Sequence, residues 1–500
     1  MPVATRSSAR FRLNGLRGAL LLLLPLLAGA CGSRGDAGLS IVAIGDPAAP
    51  FATGARLGAI GQTVRQATVE GLVSFDEQGR IISALADRWI VTDDGLSYIF
   101  RLRDGTWPDG SAITSQSARA SLRQAIDALK GTPLARDLGG IDEIRAMAGR
   151  VIEIRLSRPM PHLLQLLAQP ELGMPWKGRG AGPMALTRQG YVAVLSPIAP
   201  RKRGLADVPH WNDITRDVQL VALPAKQAVE RFNKGESDLL IGGRIEHFPL
   251  AGGLGISRGT IRIDPVIGLF GLTVSRASGF LATVRNREAL AMAIDRDGLI
   301  AAFGVSGWTP TTRVVSPAAE GGGGMNGERW AALSLDQRRA QAAARVAQWR
   351  GEGNGPPQLR IHLPQGPGGD MLFARLRGDL GRIGVGLSRV TDEGAADLRL
   401  FDQVARYPRM EWFMNQLSCV ARRGLCSEAA DATMREADAA PDNAAREALL
   451  GRAETEMTAA NVFIPFGQPI RWSLVRGDVT GFSPNRWNVH PLMPMAIRPR

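Results

Sequence analysis

LRDGTWPDGSAIT, residues 102–114, joins a strand-like apolar end at Leu102 to an Arg-Asp-Gly turn, an aromatic-proline pair and a second Asp-Gly turn. Thr114 then stands where a helix can open, with Ser115 and Ser117 in its first turn. Two turn signals this close make a tight surface excursion rather than a core element. The preceding residues, from Glu70, alternate short apolar runs with Asp-Glu-Gln-Gly and Asp-Asp-Gly turns, and "RVIEIRLSRP" at 150–159 adds another strand. The spacing therefore predicts a small strand-and-turn subdomain with no obvious catalytic group in it.

On either side of it the pattern changes. "LSIVAIG" at 39–45 reads as a buried strand. "DVQLVALP", "AKQAVERFNKGESD" and "LLIG" follow one another as strand, helix and strand, the signal of a parallel sheet. A second such unit runs through "QLRIHL", "MLFARLRGDLGRIG", "VGLSRV" and "DLRLF". Before it, "SLDQRRAQAAARVAQWRG" carries a capping box (Ser334, Gln337) and a stop at Gly351. "EGGGG" at 320–324 reads as a loop, and no repeat of 20–50 residues is visible. The fold class expected is α/β, with two lobes and an extra subdomain.

The N-terminus addresses the compartment. Residues 1–18 hold Arg6, Arg10, Arg12 and Arg17 and no acid, and "ALLLLLPLLAGAC" follows. A basic region, a short apolar run and small residues before a cut site make a secretory signal. Ala28-Gly29-Ala30 directly before Cys31 is similar to a bacterial lipobox, with Ala28 in the usual leucine position. A lipidated Cys31 would tether the mature body to a membrane; an ordinary signal peptide with a chance cysteine is the alternative. Cys419 and Cys426, in "SCVARRGLCS", read as a local disulfide in an oxidising compartment, with two free buried thiols as the alternative.

The formal charge of +13 falls to +9 without the signal arginines. Only five of the 60 basic residues are lysine, which reads as the coding bias of a GC-rich genome. There is no basic run with interleaved aromatics, so nucleic acid is not an expected partner.

Other motifs carry little. "GISRG" at 255–259 fits a nucleophile elbow in letters, but a strand pattern follows it where a helix is required. The five histidines are scattered without ligand spacing, and no Gly-x4-Gly-Lys loop exists, so no metal, nucleotide cofactor or catalytic residue is expected. "GPGGD" at 366–370 either cradles an anion at a helix start or simply caps the helix.

Residues 70–114 resemble the signature region of the family 5 extracellular solute-binding proteins, the peptide, nickel and oligopeptide receptors of ABC importers. Glu70-Gly71-Leu72, Leu85-Ala86, Trp89, Asp94-Gly95, Leu102-Arg103, Gly105, Asp109-Gly110 and Thr114 stand at the positions of that pattern. "GRGAGPM", "RFNKGESDLL", "VRNREALAMAIDRDGLI", "DLGRIGVGLSRV" and "NVFIPF" extend the likeness over nearly the whole mature chain.

The resemblance implies the type II periplasmic-binding-protein fold, two lobes closing on a ligand, with chain crossings near 262–275 and 465–478. The divisions expected are a signal peptide with lipobox (1–30), tether and first strand (31–55), extra subdomain (56–165), lobe I (166–265), lobe II (266–474) and a C-terminal return to lobe I (475–500). It also implies a monomer that binds a peptide-like or anionic small solute and works with ABC permease and ATPase subunits. A lipoprotein that keeps the fold as a sensor or assembly partner is the alternative.

Peptide-binding members grip a free amino group with an Asp. In "ARYPRMEWF" the best alignment puts Arg406 in its place, beside Tyr407, and an arginine favours carboxylate or phosphate. Asp402 takes over if the alignment slips, and pairing of Arg406 with a nearby acid such as Glu411 is the alternative to a ligand contact. Arg406, Tyr407, Asp402, Trp412 and Phe270 are the expected ligand contacts.

Overall fold

The computed structural model describes residues 38–252, 259–320 and 327–499. The signal segment, Cys31, the serine of "GISRG" and the glycines of "EGGGG" lie outside the described residues.

The first lobe is built on a seven-stranded sheet. Leu39–Ile44 pairs in parallel with Val218–Leu223 on one side and Leu239–Arg244 on the other. The helix Ala225–Asn233 makes the crossover between those two neighbours. The buried strand faces two cores: Leu39, Ile41 and Ala43 point into one cluster and Val42 into another. That is why it reads as an unbroken apolar run. Ile60, Val64 and Ala67, on one stripe of the helix Ala59–Thr68, cover the first of these cores. This helix therefore packs on lobe I, and the subdomain's own strands begin at Val73, later than residue 56.

The second lobe carries a five-stranded sheet in the order Gly386–Arg389, Gln358–His362, Leu398–Val404, Gly268–Val274, Phe463–Gly467. Ile261–Ile263 and Arg471–Val475 belong to the first sheet, so the chain changes lobe at residues 264–267 and 468–470. Lobe II thus ends before 471, not at 474, because Arg471–Val475 pairs with Leu239–Arg244. The glycines of "GPGGD" serve close packing rather than anion binding. A Cβ on Gly368 would lie 2.1 Å from the Ile245 carbonyl oxygen, and one on Gly369 2.1 Å from that of Pro364.

The subdomain is a four-stranded antiparallel sheet, Ala86–Val91, Ser97–Leu102, Val151–Leu156 and Ile141–Met147, with the helix Ser115–Ala128. Thr114 opens that helix through a capping box with Ser117, whose hydroxyl also accepts from Trp107 Nε1 at 2.9 Å. The twin turns of residues 102–114 are thereby fastened to the helix they precede.

Glu70 explains another part of the signature. It is buried and bridges two arginines: Arg103 Nη2 donates to it at 2.8 Å, and Arg203 Nη2 to its other oxygen. Glu70→Gln leaves two guanidiniums without the only carboxylate that pairs with them among the described residues. Breaking a buried pair in this way costs about 3 kcal/mol, so a denaturant titration should show the midpoint falling with an unchanged slope.

Cys419 and Cys426 are joined by a disulfide, Cα–Cα 5.1 Å, just past the helix Met410–Leu417. Closing so short a loop contributes about 2.5 kcal/mol in the chain-entropy account. Reduction should lower the melting temperature by several degrees while far-UV circular dichroism at room temperature stays unchanged. Two alkylatable thiols in the unreduced native protein would contradict it.

Candidate functional site

The parallel strands of both sheets end at the gap between the lobes, and ligands of open α/β sheets bind beyond such ends. Leu239–Arg244 delivers Arg244 there, and Leu398–Val404 leads into Ala405 and Arg406. Together with the start of the helix Ala59–Thr68 they enclose a cavity of about 570 Å³. Both lobes contribute to it. Arg56, Glu171 and Arg244 come from the first, and Asp402, Arg406, Trp412 and Arg423 from the second, while Arg471 opens the returning strand. Five arginines thus face two carboxylates.

The pairing among these charges is uneven. Arg406 donates from Nη2 to Glu171 Oε1 at 2.7 Å and from Nη1 to Gln169 Oε1 at 3.0 Å, across the gap. Burial pulls its guanidinium down, but Glu171, helped by the charge of Asp137, more than offsets this and the net direction is up. The neutralising acid is therefore Glu171. Glu411, the acid expected from its nearness in sequence, pairs with Arg446 and Arg409 instead.

Asp402 is buried between two arginines, with Oδ2 3.0 Å from both Arg244 Nη2 and Arg471 Nη1. Its charge is already compensated, which disqualifies it as an anchor for an ammonium group. Arg423 stands apart. It donates only to the neutral Gln416 Oε1 at 3.2 Å and lies over the Phe401 ring at 4.6 Å, and no carboxylate pairs with it among the described residues. Burial, and secondarily the charge of Arg406, push its guanidinium down. An incoming anion would relieve both effects.

Trp412 borders the cavity at its buried edge, but Tyr407 and Phe270 do not line it. Phe270 sits in a strand buried along its whole length, packed against Trp308 and Phe466 with ring centroids 5.6 Å away in each case. The Tyr407 hydroxyl donates to Asp137 Oδ1 at 2.9 Å, and Asn415 Nδ2 donates to the same oxygen at 2.8 Å. Asp137 belongs to the subdomain side and its donors to lobe II, so this cluster joins the lobes. His162, also from the subdomain side, stacks on Tyr407 with ring centroids 3.9 Å apart. Burial raises the Asp137 carboxyl to about 7, its two hydrogen bonds and the charges of Arg406 and Arg136 offsetting part of the effect. Sequence reasoning missed Arg244, Arg423 and Arg471. In a chain with 55 arginines, single ones at three distant places carry no local signal. Among the described residues no group of His, Cys, Asp or Glu could hold a metal ion, and no helix is long and apolar enough to cross a membrane.

Two α/β lobes linked by two crossings, with a charged cavity between them, define a hinged binding protein. Comparison with known proteins agrees. The model for "Bacterial extracellular solute-binding proteins, family 5 Middle" matches residues 80–188. The periplasmic oligopeptide-binding protein OppA of Escherichia coli K12 is 22% identical over 472 residues, 83% of this chain and 84% of its own. Haemophilus influenzae OppA in complex with RPPGFSPFR superposes with a TM-score of 0.75 at 18% identity, over 92% of this chain and 99% of that one. The Escherichia coli murein tripeptide binding protein MppA gives 0.75 at 19% identity, over 93% and 99% of the two chains. An unliganded open form of MppA gives only 0.62, at 20% identity over 92% and 97%. This chain carries the family 5 solute-binding signature over residues 80–188 and shares the two-lobed fold of these relatives. Its lobes are drawn together, with Arg406–Glu171 and Tyr407–Asp137 bridging them.

Proposed function

We propose that the protein is the extracytoplasmic receptor of an ABC importer, closing its lobes on a small solute and delivering it to a membrane permease driven by ATPase subunits. The solute carries an anionic group that meets Arg423. Arg406 and Trp412 border it, and Asp402 holds Arg244 and Arg471 in place. The observation that carries this reading is the excess of arginine in a cavity built from both lobes, with the guanidiniums of Arg423 and of Arg56 at its rim left without a carboxylate among the described residues. The reading involves binding and no chemical conversion. It includes export to the periplasm, with Cys31 as the lipid acceptor of a monomeric receptor.

Calorimetry of the purified mature chain against acidic solutes, peptides with blocked amino groups and free peptides tests the ligand class. Saturable binding of an acidic solute, with the compaction seen by small-angle scattering, is the expected result. Tight binding that requires a free amino group and ignores the anion would overturn the anionic assignment.

A further inference from the structure

A cavity of about 1120 Å³, roomier than the one between the lobes, lies elsewhere. It sits between the lobe I sheet and the subdomain, and every residue around it falls within 50–203. Lobe II contributes none. It is therefore present whether or not the hinge closes.

Its surface combines an apolar floor with one sign of charge. Phe51, Trp107, Ala125 and Met184 supply the floor, and Trp107 is backed by Trp176 at a ring-centroid distance of 5.6 Å. Every charged residue on the lining is basic: Arg65, Arg103, Arg179, Lys202 and Arg203. The carboxylates adjoining them are occupied. Glu70 is shared by Arg103 and Arg203, Asp104 pairs with Arg150, and Asp109 with Lys177 at 2.8 Å. Arg65 donates only to neutral carbonyls, those of Gly54 at 2.7 Å and Gly173 at 3.2 Å. The Nε groups of Arg65, Arg103 and Arg203 are buried without a hydrogen-bond partner. Arg179 and Lys202 are exposed, and neither side chain forms an ion pair among the described residues.

A roomy concave site with an apolar floor and a few convergent charges fits a small-molecule ligand. Low-dielectric walls concentrate the field of uncompensated cations on an anion inside. We propose that this cavity is a second ligand site, taking an organic anion with an apolar body, and that it works independently of closure around the first. Twin turns at residues 102–114 would then form one wall of that site as well as joining strand to helix.

Fluorescence titration with anilinonaphthalene sulfonate, an anion with an apolar body, tests it on the full mature chain. Saturable enhancement is expected from the wild type, with the uncharged phenylnaphthylamine binding much more weakly. Arg179→Glu combined with Lys202→Glu should weaken the sulfonate by roughly tenfold, the reach of two partly screened charges. Both positions are exposed, so this variant should keep the wild-type melting transition. Ala128→Trp, on the exposed helix face beside the cavity, should block the site sterically. Arg423→Glu, in the inter-lobe cavity, should leave it untouched. Binding that ignores the double reversal and the tryptophan, that Arg423→Glu abolishes, or that the uncharged probe matches would overturn the proposal, as would no binding at all.

Discussion

Lowering the pH from about 8 to about 5 should tighten solute binding and closure, and binding near pH 6 should take up close to one proton. The group responsible is Asp137, which closure seals between the subdomain and lobe II. Its carboxyl sits at about 7 in the closed arrangement against an ordinary value of 3.8, and burial is the main cause. A raised carboxyl means that the closed form holds the proton more tightly than the open one. Its stabilising effect is complete below 3.8 and is lost as the pH rises through about 7.

A shift of roughly three pH units corresponds to about 4 kcal/mol between the two ends of that window. The charged groups around it are accounted for. Arg136 and Arg406 favour the ionised form, and Tyr407 and Asn415 donate to Oδ1 while Oδ2 has no partner. His162 is pushed down by burial to about 4, so it stays neutral across most of the window, and Glu411 beside it is held low by Arg409 and Arg446 despite its burial. Calorimetry in buffers of different ionisation enthalpy measures the proton count directly. Asp137→Asn keeps the acceptor oxygen and should abolish the uptake and flatten the pH profile; an unchanged slope in that variant would sink the assignment.

Arg423→Glu should cost the anionic solute about a hundredfold or more in affinity, since it replaces the half-buried unpaired cavity cation with a repelling charge. Arg406→Ala acts differently. Its partner Glu171 has a nearly buried side chain, and losing the arginine leaves that carboxylate uncompensated when the lobes meet. Closure on any ligand should therefore weaken, by about 3 kcal/mol. A panel of charged and neutral solutes separates the two roles. Arg423→Glu should discriminate among them, and Arg406→Ala should not. If Arg423→Glu binds acidic solutes as the wild type does, the anion does not sit at that guanidinium.

Most of the scaffold was legible in the sequence because its determinants are local. The strand-helix-strand periodicities at 218–244 and 358–401, the capping boxes at Thr114 and Ser334 and the pair Cys419/Cys426 each involve residues close along the chain. The family pattern at 70–114 is fixed in the same way, by turns that tolerate few residue types. Glu70 shows where this stops. Its position in the motif is visible from sequence, but its reason, two arginines 33 and 133 residues away, is not.

Site residues fell on the far side of that line. Arg406 was singled out from its own neighbourhood and does border the cavity, yet its partner came from the other lobe and not from Glu411. Tyr407, one residue on in the bend that follows the strand Leu398–Val404, does not line the cavity and meets Asp137 instead. Phe270 was an expected ligand contact but lies in a strand covered on both faces. By itself the sequence determined the α/β units of the lobes and the turn-rich subdomain, through periodicity and turn chemistry that act over a few residues, while the two crossings between lobes were implied by the family resemblance. Only the tertiary structure decided which arginines are neutralised and which are left free, because that depends on charges brought within a few ångströms across the hinge from segments more than 150 residues apart.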